Sequence, residues 1–210
     1  MTARCAVVVF AKAPVAGTVK TRLAGALGAA GAARLAARML ESAAACAGEA
    51  ALGPVEVCCA PDASHPAFTA LTRTPGPVAL TEQGGGDLGQ RMHRAFERVL
   101  AEQAAAILIG TDAPALDANY LRDAAAALQQ HDAVVGPAVD GGYVLIGLRR
   151  PAAALFEAVD WSTPRVLAQT RERLGRLGWS WAELAPLHDI DEPADLRHLP
   201  AGWAPLALQE

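Results

Sequence analysis

A chain of 210 residues with 52% hydrophobic content suits one domain with a well-buried core, extended at most by a small insertion. Lys and Arg number 18 against 22 Asp and Glu, a net charge of −4, so there is no electrostatic footprint for nucleic acid, and a negative substrate must be met by a few placed cations or a metal ion. The four cysteines, Cys5, Cys46, Cys58 and Cys59, form no C-x-x-C pair and read as buried reduced thiols, and the apolar run within residues 1–11 is too short for a bilayer and lacks a cleavage pattern; a cytoplasmic protein without a membrane partner is expected.

In chain order, "CAVVVFA" (Cys5–Ala11) reads as a strand buried on both faces, as in a parallel sheet. A helix is expected from about Thr21 to Ala47. The join between them, "FAKAPVAGTVKTRLA", contains a Lys-Thr pair that invites a P-loop reading. A P-loop needs Gly directly before the Lys and another five residues earlier, where this chain has Val19 and Val15, so that reading fails. What remains is a turn with Pro14 and Gly17, then Lys20 and Arg22 at a helix start. Basic residues in a first helical turn oppose the dipole, and this conflict favours an anion site over two solvated side chains.

Val55–Ala60 is a second strand and residues 77–83 a weaker third, followed by Gly84, Gly85 and Gly86. A helix follows from about Leu88 to Gln103, with Asp87 as a possible N-cap and Arg91 nearby. Strands are expected at Ala105–Gly110, Asp132–Ala138 and Gly142–Leu148, and helices at Asn119–Gln130 and Arg165–Leu177. "HDIDEPADL" leads into a last short helix, and a loose or surface-lying tail begins at Leu199. Strands alternating with helices of crossover length define an α/β fold with a mainly parallel sheet, in which ligands gather at the carboxyl ends of the strands.

Several acids fall at those ends. Asp112 in "IGTDAPAL" suits a hard divalent cation, Mg²⁺ or Mn²⁺, bridging phosphate oxygens, or else a turn cap before Pro114. Asp189 and Asp191 stand two apart, on one side of an extended segment, and would repel without a cation between them; the alternative is that they open a helix. Asp195 belongs with that structural role, and His188 with a hydrogen-bonded or exposed one. Asp140 precedes Gly141 and Gly142, a plain turn or a point of close approach to a ligand. "DWSTP" (Asp160–Pro164) reads as a helix start capped by Ser162 or Thr163.

Taken together and in order, "FAKAPVAGTVKTRLA", "GDLGQRM", "GTDAPAL", "DGGYVLIGL", "WSTPRVLAQT" and "DIDEPADL" resemble the bacterial CofC-like glycosyltransferases. Many members of that family carry only a domain-of-unknown-function label. It belongs to the GT-A superfamily, with the phospholactate and molybdenum cofactor guanylyltransferases. The resemblance spans about Ala6 to Leu196. It implies a single-domain nucleotide-diphospho-sugar transferase fold over residues 1–198, a mixed, mainly parallel sheet flanked by helices, with residues 199–210 as a tail. It implies that Ala11, Lys12, Gly17, Lys20 and Arg22 hold nucleotide phosphates, and that Asp112, Asp189 and Asp191 are metal-binding acids. Gly85, Gly86, Asp87 and Gly89 would lie near the base or ribose. The chain departs from the pattern in lacking the Gly-Gly-x-Gly loop of sugar nucleotidyltransferases and the second Asp of a D-x-D motif.

Two reactions fit these residues. In nucleotidyl transfer, Lys20 and Arg22 neutralise the triphosphate while a small phosphorylated or carboxylated acceptor attacks the α-phosphate and pyrophosphate leaves. In glycosyl transfer from a nucleotide-sugar, a carboxylate base is needed, and Asp140 is the loop candidate. A non-catalytic nucleotide-binding protein is the third reading, opposed by the presence of every acid the resemblance requires.

Overall fold

The computed structural model describes residues 5–72 and 78–203. Its central strand is β1 (Cys5–Lys12), whose alternate side chains enter two different layers. Val7, Val9 and Ala11 point into one and Ala6, Val8 and Phe10 into the other, none more than 8% exposed. A strand apolar at both faces must lie inside a sheet, and β2 (Val55–Ala60) and β4 (Ala105–Ile109) flank it in parallel. The remaining strands are β3 (Val78–Glu82), β5 (Ala133–Pro137), β6 (Tyr143–Leu148) and β7 (Trp181–Glu183). Pro77, expected to open β3, lies outside the described residues.

The seven strands run in the order β3-β2-β1-β4-β6-β5-β7. Only β6 is antiparallel to its neighbours, so the sheet is mixed and mainly parallel. Consequently β1 to β5 and β7 all end at one edge, where β6 begins. A bridge from Ala138 to Leu187 extends the β5–β7 side and carries the chain on to Asp189 and Asp191 at that same edge.

Helices α1 (Ala24–Ala50), α2 (Pro66–Leu71) and α4 (Ala118–Ala127) cover one face through Leu40, Ala44, Phe68, Leu121 and Ala124. Helices α3 (Leu88–Leu100) and α5 (Val166–Arg176) cover the other through Met92, Phe96, Leu167 and Leu174. Cys58 and Cys59 separate between these layers, and all four cysteines are free and buried. Each fully buried Phe or Leu contributes roughly 1.5–3 kcal/mol, so both layers anchor the sheet that positions the edge.

Three differences from the sequence expectation bear on that edge. The helix expected from Thr21 starts as a single 3-10 turn, Thr21–Leu23, and α1 is interrupted at Gly28 (φ 69, ψ 161), a conformation glycine tolerates best. Lys20 itself takes a left-handed conformation (φ 47, ψ 41). Finally, Leu199 and Trp203, read as tail, pack on a cluster that includes Leu23, Leu35, Met39 and Ile190, with the Arg38 guanidinium 4.5 Å from the Trp203 ring centre.

Candidate active site

A cavity of about 530 Å³ opens between the strand ends and the first turns of α3 and α5, within the size range of small-molecule sites. One wall is the loop after β1. Lys12 Nζ donates to the Thr18 carbonyl at 2.8 Å, and Thr18 Oγ1 donates to the Val15 carbonyl at 2.9 Å, so the loop is folded on itself. Buried Val19 anchors it, which aims Lys20 into the cavity.

The Lys20 side chain is only 7% exposed, and its ammonium lies 2.8 Å from Asp112 Oδ1 and 2.7 Å from Asp191 Oδ1. Burial alone would lower its pKa, but Asp112 and Asp191 outweigh that and hold it above the ordinary lysine value. The two acids reach one cation because the Ile190 N–H donates to the Asp112 carbonyl at 2.8 Å, while the fully buried Ile190 side chain faces the core. Arg22 is 64% exposed and 3.9 Å from both Asp191 and Glu192, a loose pairing that leaves it free to meet a ligand. Asp189 is half-buried. Burial first, then Asp140, Asp191 and Asp112, push its carboxyl up to about 6.

The opposite wall is made of side chains from distant segments. Leu88 and Met92 on α3, Tyr143 at the start of β6, Trp161, and Val166 at the start of α5 line it. The Tyr143 and Trp161 rings meet edge to face, with centroids 6.5 Å apart. Asp140 stands at its rim, Oδ1 accepting from the Gly142 N–H at 2.8 Å. Gly141 (φ +94) allows this turn to press on α5: a Cβ there would come within 2.8 Å of Pro164 Cα, and its carbonyl accepts from Leu167 N.

The expected site residues divide. Ala11, Lys12, Lys20, Arg22, Asp112, Asp140 and Asp191 line the cavity, whereas Gly17, Gly85, Gly86, Asp87, Gly89 and Asp189 do not. Asp87 accepts from the Gln90 N–H at 2.8 Å in a capping box, and the carbonyls of Gly85 and Gly86 accept from Arg94 and Arg91. Gly89 is a packing glycine: an added Cβ would meet the Phe156 carbonyl and come within 2.9 Å of Trp161 Cζ2. The expected helix N-terminus at Lys20 and Arg22 is a 3-10 turn that runs into only a short stretch of α1 before the break at Gly28, so the charges of this wall are chiefly those of its side chains. Asp195 is structural, accepting from the N–H groups of Asp191 and Glu192, and His188 stacks on His198. Neither Ser162 nor Thr163 caps α5, whose N-cap is Arg165 without a side-chain cap bond; Thr163 accepts from the Arg165 N–H ahead of the helix, and both residues line the cavity.

Gln83, Met92, Tyr143 and Trp161 were not legible as site residues. Gln83 is 7% exposed and follows β3; its Nε2 donates to the carbonyls of Ala11 (3.2 Å) and Cys58 (3.0 Å). Those two acceptors dictate the amide orientation, which leaves Oε1 as the acceptor on a residue lining the cavity. A polar residue directly after a strand and before a glycine run is the signal that could have found it.

Asp112, Asp189 and Asp191 offer only oxygen donors, the set a hard divalent cation prefers, and the Lys20 ammonium already stands between two of them as a cationic counterpart. Among the described residues no group of three or more His, Cys, Asp or Glu is arranged to hold a metal as it stands. The donor chemistry suits such an ion, while in this arrangement the Lys20 ammonium takes the place between Asp112 and Asp191.

The mixed seven-stranded sheet flanked by helices is that of the nucleotide-diphospho-sugar transferase fold, and a relative at 30% identity supports a nucleotidyl- or glycosyltransferase. Residues 43–163, more than half the chain, match the DUF2064 family, described as uncharacterized proteins conserved in bacteria, and the chain belongs to that family. A similar solved structure is a protein from Desulfovibrio desulfuricans, provisionally named a nucleotide-diphospho-sugar transferase: 30% identity, 90% of this chain and 82% of that one, TM-score 0.81. The 4-diphosphocytidyl-2C-methyl-D-erythritol synthase of Anaerococcus prevotii is 8% identical over 93% of this chain and 95% of that one, TM-score 0.60. Rv0371c of Mycobacterium tuberculosis, in complex with manganese, is 19% identical over 94% and 98%, TM-score 0.55. The last two show the fold alone. No curated protein matches the sequence. Among the described residues, no helix is long and apolar enough to cross a membrane.

Proposed function

We propose that the protein transfers a nucleotidyl group from an NTP to a small acceptor and releases pyrophosphate. The observation that carries this reading is the concentration of Lys12, Lys20 and Arg22 on one wall, with Lys20 held at 2.8 and 2.7 Å from two acids at the strand ends. Three cations suit a leaving group on which charge builds as it departs. The acceptor oxygen bonds to the α-phosphorus, the bond from that phosphorus to the bridging oxygen breaks, and the electron pair leaves with pyrophosphate. Asp112, with Asp189 and Asp191, would hold Mg²⁺ or Mn²⁺, whose chemistry is to neutralise charge on phosphate oxygens. Gln83 supports a nucleoside on the β1–β3 side, since its oriented Oε1 can accept from a base N–H. Free buried cysteines support a reducing, cytoplasmic setting, where NTPs are abundant.

Glycosyl transfer from a nucleotide-sugar is the second reading, favoured by the name of the Desulfovibrio relative and by Asp140 as a base at the cavity rim. Incubation with Mg²⁺, each NTP and a panel of UDP- and GDP-sugars separates the two. Pyrophosphate release from an NTP is the expected outcome. NDP release from a sugar nucleotide would transfer the assignment to the second reading, and nucleotide binding without turnover would leave a non-catalytic protein.

A further inference from the structure

We propose that the acceptor is an uncharged hydroxyl compound with an apolar face, stacked on Trp161 with its hydroxyl turned to Asp140. The inference rests on the transferase reading above, whichever group is transferred. It replaces the phosphorylated or carboxylated acceptor expected from the sequence.

Charge is partitioned between the two walls. Every Lys or Arg lining the cavity, Lys12, Lys20 and Arg22, comes from the loop after β1, where a nucleotide's phosphates require them. The wall of Leu88, Met92, Tyr143, Trp161 and Val166 brings no cation, and Asp140, which lines the same cavity, would repel a second anion. The arginines nearest the starts of the two helices that build this wall have partners of their own. Arg165 Nη2 lies 3.1 Å from Asp160 Oδ2, and Arg91 Nε donates to the Gly86 carbonyl at 2.8 Å.

The apolar wall is also held in place before any ligand arrives. One edge of the Trp161 indole rests against Gly89, where a Cβ would come within 2.9 Å of Cζ2, and Tyr143 fixes the other contact edge to face at 85°. A held aromatic ring suits the C–H face of a ring compound at little ordering cost.

Asp140 completes the chemistry. A phosphate or carboxylate acceptor is already ionised and needs no base, whereas a hydroxyl must lose its proton as its oxygen bonds. Asp140 Oδ1 is tied to the Gly142 N–H, and Oδ2 has no hydrogen-bond partner among the described residues. The acceptor proton passes to Oδ2, the acceptor oxygen bonds to the transferred group, and the electron pair of the broken bond leaves with the phosphate leaving group. Asp140 then returns the proton to solvent.

The test uses the full chain labelled with 5-fluorotryptophan, with the Trp161 ¹⁹F resonance identified by Trp161→Phe. Calorimetry with Mg²⁺ and each NTP comes first; absence of nucleotide binding would remove the transferase reading itself, and the inference with it. On the nucleotide-loaded protein, methyl hexopyranosides and cyclohexane-1,2-diol are titrated against glycerol 3-phosphate and lactate. The neutral compounds are expected to shift the Trp161 resonance at concentrations about tenfold or more below any effect of the anions. Trp161→Phe should keep neutral-ligand binding, read at the remaining tryptophans or by calorimetry, and Trp161→Ala should lose it while still binding nucleotide. A stronger response to the anions, no response to any neutral compound, or loss of nucleotide binding in Trp161→Ala alongside a wild-type thermal melt would each overturn the proposal.

Discussion

The two walls of the cavity are built by opposite means. One is a single stretch of chain, Lys12 to Arg22, that folds on its own carbonyls and carries all the lining Lys and Arg. The other draws on residues 88, 92, 143, 161 and 166, with no Lys or Arg, held by ring contacts and close backbone packing. The difference teaches that a charged site can be local, because a few ion pairs and backbone bonds fix it. An apolar site has to be assembled from the core, because only tertiary packing holds it.

The comparison breaks most visibly at Asp112, which stands between the walls. Asp112→Asn should abolish metal-dependent nucleotide binding, a loss of about 100-fold or more, while its half-exposed side chain leaves the melting temperature within a few degrees. Calorimetry with Mg²⁺ and NTP beside a thermal melt measures both, and binding at full strength would dismiss the metal site. Lys20→Met probes the cationic wall alone. It removes the ammonium shared by two acids, and nucleotide affinity should fall about tenfold or more with no change in the Trp161 response to neutral ligands.

Gly89→Ala probes the other wall. The new methyl group would press on the Phe156 carbonyl and on Trp161, costing about 1–3 kcal/mol in urea unfolding and weakening neutral-ligand binding, with nucleotide affinity retained. If affinity for NTP fell instead, the two walls would not be separate.

The smallest effect is set by pH. Asp189 is raised in the folded state from its ordinary 3.8 to about 6, so its contribution to stability is present below about pH 4 and is lost as pH rises through about 6. Asp189→Asn keeps a neutral group at every pH. Discounted for partial exposure, the variant should be more stable than wild type by about 1 kcal/mol at pH 8 and equal to it near pH 4. Parallel denaturation curves at the two pH values provide the check; a constant gap would mean that Asp189 is not the titrating group.

The same contrast explains what was legible in the sequence. β1 and β4 are unbroken apolar runs, and the acids directly after strands stand out against them, so the fold class and the carboxylates at the edge could be read locally. Lys20 stood out as a cation at the expected site, but its pairing with Asp112 and Asp191 was not legible, because both acids arrive from far along the chain. Trp161 and Tyr143 looked like any other large residues, and "DWSTP" looked like a helix start, although it ends just before the N-cap of α5 at Arg165. Gly89 looked like part of a nucleotide loop because a glycine needed for packing and one needed for a ligand are written the same way. Patterning reports which residues are buried; it does not report which buried residues end at a cavity.

Lys20 finds Asp191 at a separation of 171 residues, and the Ile190 N–H that sets Asp191 in place bonds to the carbonyl of Asp112. The cationic wall therefore depends on a contact between segments far apart in the chain. Lys20 is balanced by acids from two separate segments, so this wall is complete only when the turn after β4 and the 189–191 segment have both docked beside it. Closure of that contact makes the centre itself a report that distant segments of the fold have docked.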